Sequence, residues 1–258
     1  MDKQYYVGID IGSTASKVVV LDDEKLVSSF CIPTGWNSKE TAKNILQRLQ
    51  DDGLSENMSC AATGYGRICV DYADKVITEI TCHAKGAYAL FGVDGTVIDI
   101  GGQDAKVICL NDSGRMTNFV MNDKCAAGTG RFLDVMANIL RADISELEVL
   151  ASKADSPATI SSTCTVFAES EVISQLANGE SRENVIAGIC NSVASRVSSL
   201  ARRAGVKEKV CMSGGVAKNG AVRDAMSKAL EVQIEYDSLA QYFGAIGAAV
   251  YAFRSNKK

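Results

Sequence analysis

Only two prolines, Pro33 and Pro157, and a single histidine, His83, occur in the 258 residues. No stretch rich in Pro, Gly and Ser interrupts the chain, so composition marks no flexible linker. Apolar runs are short, Val18 to Leu21 being typical, and none approaches the ~20 residues that span a bilayer. Met1-Asp2-Lys3-Gln4 leads straight into a strand-like run with no apolar leader, so the expected location is the cytoplasm. A surplus of basic charge is also missing: the formal net charge is −4, which argues against a nucleic-acid partner. None of the nine cysteines pairs as Cys-x-x-Cys, which leaves zinc-ribbon and dithiol redox readings without local support. The odd count and absent leader point to reduced thiols, most of them small buried hydrophobes. A Gly-x-x-x-x-Gly-Lys-Ser/Thr loop is absent, as is a Gly-x-Gly-x-x-Gly on a first strand.

What is present is an internal repeat. Ile9-Asp-Ile-Gly-Ser-Thr-Ala-Ser-Lys-Val-Val-Val-Leu21 aligns without a gap on Ile98-Asp-Ile-Gly-Gly-Gln-Asp-Ala-Lys-Val-Ile-Cys-Leu110. Each copy is a β-branched run, a small polar turn and a second β-branched run, the pattern of a hairpin. Each hairpin is expected to open one half of a two-lobed α/β protein, residues 1–94 and 95–258. A last helix at about 239–252, lined with glycine and alanine, is expected to pack back on the first half. Between the hairpins, Ser38 to Gln50 reads as an amphipathic helix with Ser38 as N-cap. Cys60 to Thr63 reads as a strand and His83 to Leu90 as a helix. Further helices are expected at 130–140, 144–153, 166–178 and 182–204, then a strand Val210 to Ser213 and a helix from about Asn219. Arg202-Arg203, with Lys207 and Lys209, reads as a basic helix end.

The turns have the chemistry of phosphate loops. Glycine admits close backbone approach, and consecutive N–H groups form an anion nest. Gly12, Ser13 and Thr14 supply one such turn, Gly101, Gly102 and Gln103 the other, and Lys17 adds a charge. Asp10 and Asp99 stand at the strand ends, suited to hold Mg²⁺ largely through its waters. Gln103 or Asp104 can position an attacking water. A third strand–turn element is Met212-Ser-Gly-Gly-Val-Ala-Lys-Asn219.

These three segments resemble the first phosphate loop, second phosphate loop and adenosine motif of the superfamily of acetate and sugar kinases, heat-shock chaperones and actin. The resemblance implies two ribonuclease-H-like lobes with ATP in the cleft between them. It places Gly214, Gly215 and Asn219 along the adenosine.

Two further segments are Asn122-Asp-Lys-Cys125-Ala-Ala-Gly-Thr-Gly-Arg-Phe132 and Ile160-Ser-Ser-Thr-Cys164-Thr-Val-Phe-Ala-Glu-Ser-Glu171. Each places a cysteine in a small polar turn ahead of an expected helix, whose N-terminus favours anions. By spacing alone the two are either incidental core thiols or half of an iron–sulfur ligand set that a two-fold dimer completes. With Ala62-Thr-Gly-Tyr-Gly-Arg67 and Thr81-Cys-His-Ala84, these segments resemble the activator (component A) of 2-hydroxyacyl-CoA dehydratases. That family includes the benzoyl-CoA reductase ATPase subunits. The likeness runs from about residue 5 to residue 252, although residues 28–60, with Trp36, match no motif of it. It implies a homodimer in which Cys125 and Cys164 of each subunit hold one bridging 4Fe–4S cluster. It further implies ferredoxin or flavodoxin as electron donor, ATP hydrolysis as the drive and the dehydratase as electron acceptor. The rival readings are a small-molecule kinase of the same superfamily, phosphorylating a sugar or acid, and a metal-free ATP-dependent scaffold or filament protein. His83 reads either as a cluster neighbour or proton donor, or as a hydrogen-bonded buried side chain. Arg67 reads as a phosphate contact or a turn cap, and Glu169 and Glu171 as facing the cleft, a partner or solvent, the solvated face being favoured.

Overall fold

The computed structural model describes residues 4–23, 25–92, 94–161 and 164–256. They form two compact units. One comprises Met1–Asp94, Leu110–Met116 and Gln241–Lys258; the other comprises Gly95–Cys109 and Thr117–Ala240. Among the described residues no helix is long and apolar enough to cross a membrane.

The first unit begins with β1 (Tyr5–Ile11), β2 (Ala15–Asp22) and β3 (Lys25–Pro33), followed by α1 (Ser38–Asp51), β4 (Met58–Thr63), the two-residue β5 (Lys75–Val76) and α2 (Glu79–Phe91). Its sheet runs β3-β2-β1-β4-β5. β1 is antiparallel to β2 and parallel to β4, with Asp10 opposite Lys17 on one side and Thr63 on the other. Residue alternation sends Val7, Ile9 and Ile11 to one face, where they pack with Val18, Val20, Ile45 and Leu49. Asn37, not Ser38, caps α1. Its Oδ1 accepts from the Lys39 and Glu40 amides at 3.0 and 3.4 Å, so Ser38 is already the first helical residue. α2 starts four residues ahead of the expected His83, because Thr78 is extended and the helix turns from Glu79. His83 therefore lies in the second turn, 4 % exposed, and not at a helix start.

The second unit contains β6 (Thr96–Ile100), β7 (Ala105–Leu110), β8 (Met116–Asn122), α3 (Gly130–Ile139), α4 (Leu147–Ala151), α5 (Thr165–Ala177), α6 (Arg182–Ala204), β9 (Val210–Ser213), α7 (Gly220–Leu230) and β10 (Ile234–Glu235). Its sheet runs β10-β9-β6-β7-β8, with β6 antiparallel to β7 and parallel to β9, as β1 is to β2 and β4 in the first unit. Asp99 faces Lys106 in the register that Asp10 and Lys17 occupy in the other unit. The expected helix at 144–153 is instead a 3₁₀ turn, Ile144–Glu146, closed by an Asp143/Glu146 capping box, and then the short α4. Each hairpin also gains a third strand that pattern reading passed over. β3 buries only Phe30, and β8 has no buried residue, so neither edge strand carries a hydrophobic period.

The last element of the first unit, α8 (Phe243–Asn256), packs on β1, β2, β4 and α2. Its backbone approach is close because both sides lack side chains. A Cβ on Gly8 would sit 1.9 Å from the Ala245 carbonyl oxygen. One on Gly247 would meet the Cys82 oxygen at 1.9 Å, and one on Gly86 the Phe243 oxygen at 2.0 Å. Backbone cannot yield as a flexible side chain does. Gly247→Ala is therefore expected to cost about 3 kcal/mol, the upper end for overpacking, despite alanine's better helix propensity. Thermal denaturation should show it as a fall of roughly 2–4 °C per kcal/mol.

Candidate nucleotide and thiolate sites

Thr34, at the end of β3, fixes the first loop from behind. Its amide donates to the Thr14 oxygen at 3.0 Å and its hydroxyl donates to the Gly12 oxygen at 2.8 Å. Ser13 and Thr14 stay exposed, and the Lys17 Nζ lies 3.6 Å from Asp10 Oδ2. Asp10 is 1 % exposed, and its Oδ1 accepts no hydrogen bond among the described residues. A buried carboxylate oxygen left this way is costly, and a hydrated cation would satisfy it. Gly64, at φ +87°, turns the chain beneath it: a Cβ there would fall 2.3 Å from Asp10 Oδ1. Gly244 at the start of α8 is equally restricted, its Cβ position lying 2.8 Å from Asp10 Oδ2 and 2.9 Å from His83 Nε2. The His83 ring also stands 3.9 Å from Glu79. Arg67 donates to the Gly64 oxygen at 3.0 Å and so closes its own turn.

The second loop is tied to the start of α3. The Gly130 amide donates to Gly101 and the Arg131 amide to Gly102, at 2.9 and 2.8 Å. Asp99, 2 % exposed, accepts from the Ser213 hydroxyl at 2.5 Å and pairs with Lys106 at 3.3 Å. Lys106, itself 1 % exposed, pairs more closely with Asp104, at 2.7 Å. Asp104 is thus held by a cation, whereas Gln103 remains exposed. Gly214 sits at φ +85°, with Ile100 carbonyl oxygen 2.2 Å from where its Cβ would be. Gly215 opens a 3₁₀ turn, and Asn219 Oδ1 accepts from the Val222 amide at 3.1 Å, which commits that side chain to capping α7. Lys106, Ser213, Thr34, Gly64 and Gly244 escaped the sequence reading of the site. Lys106 had a signal in its alignment with Lys17, and Ser213 and Gly64 lay inside quoted motifs, whereas Thr34 had none.

Burial sorts the thiols. Cys60, Cys82, Cys109, Cys190 and Cys211 are buried, Cys69 is half-buried, and Cys31, Cys125 and Cys164 are exposed. Burial pushes the Cys60, Cys82, Cys190 and Cys211 thiols up to about 12 from an ordinary 9.0, with Asp74 adding to the effect at Cys60 and Glu235 at Cys211. Such groups stay protonated and cannot ligate metal as thiolates. Their unfolded forms ionise near 9 and their folded forms near 12, so the unfolded state binds fewer protons across that interval. The stability they contribute is complete below pH 9 and is lost as pH rises towards 12. Alkylation of iron-free native protein at pH 8 is expected to modify Cys31, Cys125 and Cys164 while sparing those four. Peptide mass mapping checks this, and early modification of Cys190 or Cys211 would contradict it.

Cys164 is the N-cap residue of α5, where helix N–H groups are unpaired. The segment before it is held by Glu171, which accepts from the Ser161 amide and hydroxyl at 3.0 and 2.9 Å, a clamp made in an exposed setting. Ser162 and Thr163 lie outside the described residues. Cys125 departs from expectation: it is five residues ahead of α3, whose N-cap is Thr129. Its turn is held by Asn122, whose Nδ2 donates to the Cys125 oxygen at 3.0 Å. A 4Fe–4S centre needs four accessible thiolates. The second unit exposes two, Cys125 and Cys164, so its residues fit half of one.

Two like sheets, each with a glycine turn inside its first hairpin beside a buried aspartate paired with a lysine, define the actin-like class of fold. Residues 7–252 match the BadF/BadG/BcrA/BcrD ATPase family, and the chain belongs to it. An (R)-2-hydroxyglutaryl-CoA dehydratase activating ATPase from Acidaminococcus fermentans is 52 % identical over 258 residues, 98 % of this chain and 99 % of that protein. The crystal structure of component A of the same organism's dehydratase matches with a TM-score of 0.94 at 51 % identity, covering 99 % of this chain and 100 % of that one. The activator of 2-hydroxyisocaproyl-CoA dehydratase from Clostridium difficile, solved with bound ADPNP, matches with a TM-score of 0.93 at 47 % identity, over 98 % of this chain and 96 % of that one. A Streptomyces griseus glucokinase at 16 % identity and a TM-score of 0.61, over 97 % and 99 % of the two chains, shares the fold alone.

Proposed function

We propose that this ATPase activates a 2-hydroxyacyl-CoA dehydratase by ATP-driven transfer of single electrons. The observation that carries the reading is the exposure of Cys125 and Cys164, the two thiols of the second unit not sealed in its core. Two such thiols from each of two subunits complete the ligand set of a single 4Fe–4S centre, which supplies a one-electron carrier of low potential. ATP with Mg²⁺ is the proposed ligand of the glycine turns. Gly12, Ser13 and Thr14, and Gly101 and Gly102, offer backbone N–H groups to phosphate, while Lys17 adds charge. Asp10 and Asp99 hold the waters of the metal, and Gln103 orients the attacking water. Gly214 and Gly215 leave room along the adenosine. For hydrolysis to drive transfer, ATP must bind two conformations of the protein with different affinity. A ferredoxin or flavodoxin is the proposed donor, and the cytoplasm the proposed compartment.

Anaerobic purification tests this directly. The expected product is a brown homodimer with about four iron atoms per dimer. With ATP and a reduced donor, it should switch on a purified dehydratase from a related pathway. A colourless, iron-free anaerobic preparation whose ATP turnover depends on a sugar would point to the kinase instead.

A further inference from the structure

Beside Cys125, the segment after β8 and one face of α6 enclose a cavity of about 620 Å³ in the second unit. Its lining includes Lys124, Arg196 and Arg203, one carboxylate, Asp123, and the apolar Met121 and Leu200. Arg196 and Arg203 are two helical turns apart, so α6 presents both on the same side. The Arg196 stem lies against the Gly128 turn, 3.4 Å from where a Cβ there would be. A basic hollow is notable in a chain of net charge −4, and the exposed Cys125 is part of its lining.

We infer that this hollow is the docking surface for the electron donor, a carrier protein presenting an acidic loop with an apolar tip. The inference rests on Cys125 and Cys164 being cluster ligands. Complementary charge steers such encounters and sets their salt dependence, and a lining that mixes cations with apolar side chains accepts a carboxylate-flanked hydrophobic side chain. A carrier seated here brings its centre to the Cys125 turn. Transfer then oxidises the carrier by one electron and reduces the bound centre by one, with no bond made or broken.

The test uses full-length Arg203→Glu and Lys124→Glu proteins and a purified acidic ferredoxin. Arg203 is remote in sequence from both ligand cysteines, which guards against loss of the cluster. Calorimetry with the oxidised ferredoxin is expected to show affinity weakened about tenfold or more at low ionic strength, with the gap closing as salt is added. Anaerobic reduction by the same ferredoxin should slow in parallel, while reduction by photoreduced deazaflavin, a small reductant that needs no docking, should not change. Unaltered ferredoxin affinity in iron-replete variants overturns the docking surface and leaves the proposed function standing. Wild-type protein that holds no iron overturns both. Variants that bind ferredoxin normally yet fail to activate the dehydratase would assign the hollow to that enzyme and overturn the inference.

Discussion

Cys125→Ser and Cys164→Ser are each expected to give colourless protein with iron reduced to background, no dehydratase activation and unimpaired nucleotide binding. Serine preserves size, so folding has no reason to fail at these exposed positions. What it removes is a thiolate, the ligand that iron–sulfur centres require. The proposed nucleotide loops draw on other residues, Gly12–Thr14 with Thr34 and Gly101–Gln103 with the Gly130 and Arg131 amides. Calorimetry with ADP or a non-hydrolysable ATP analogue, beside iron analysis, separates the two functions. Equal loss of nucleotide affinity in both variants would show that the cysteines hold the fold. Cys190→Ser is the contrasting control. It places a hydroxyl in a buried site that Cys190 fills at 2 % exposure, so it should lower stability and leave iron content intact.

Lys106→Met should be the most destabilising single change at the second loop. The ammonium is 1 % exposed and lies between the carboxylates of Asp99 and Asp104, at 3.3 and 2.7 Å. Removing it strands a buried negative charge at Asp99, a loss of about 3–5 kcal/mol. Ser213 still donates to Asp99, but a neutral hydroxyl offsets only part of that. Chemical denaturation reads the loss. The double variant Lys106→Met/Asp99→Asn should recover most of it, because a buried pair removed together leaves no uncompensated charge. The matching Lys17→Met should cost less, as the Lys17 side chain is 15 % exposed and its contact with Asp10, at 3.6 Å, is longer than either contact of Lys106. Similar losses at both positions would mean that burial does not separate the two pairs.

Both aspartates, both glycine turns and the strand–turn element at Gly214 are legible in the sequence alone, because each is written within a dozen residues. Hydrophobic runs bounded by glycine are local signals, and so is the repeat that aligns Lys17 with Lys106. The long helices were legible for the same reason, from apolar periodicity alone. β3 and β8 were not, since an edge strand buries little and so carries no alternation. The α1 cap was misplaced by one residue because Asn37 and Ser38 are both competent caps, and only backbone geometry chooses between them.

The cysteines show where local reading ends. Nine thiols look alike in sequence, and the exposure that singles out Cys125 and Cys164 within their unit depends on what the fold lays over the others. The partners of Asp99 divide the same way. Lys106 follows from the hairpin register, seven residues on, whereas Ser213 is brought in by a parallel strand 114 residues away. By itself the sequence determined two glycine turns and the acids that precede them, since hairpin geometry is fixed by neighbouring residues. The tertiary structure alone decided which charges are buried together, which thiols water can reach and which basic side chains gather beside Cys125. Those properties belong to surfaces that distant segments form only when they pack.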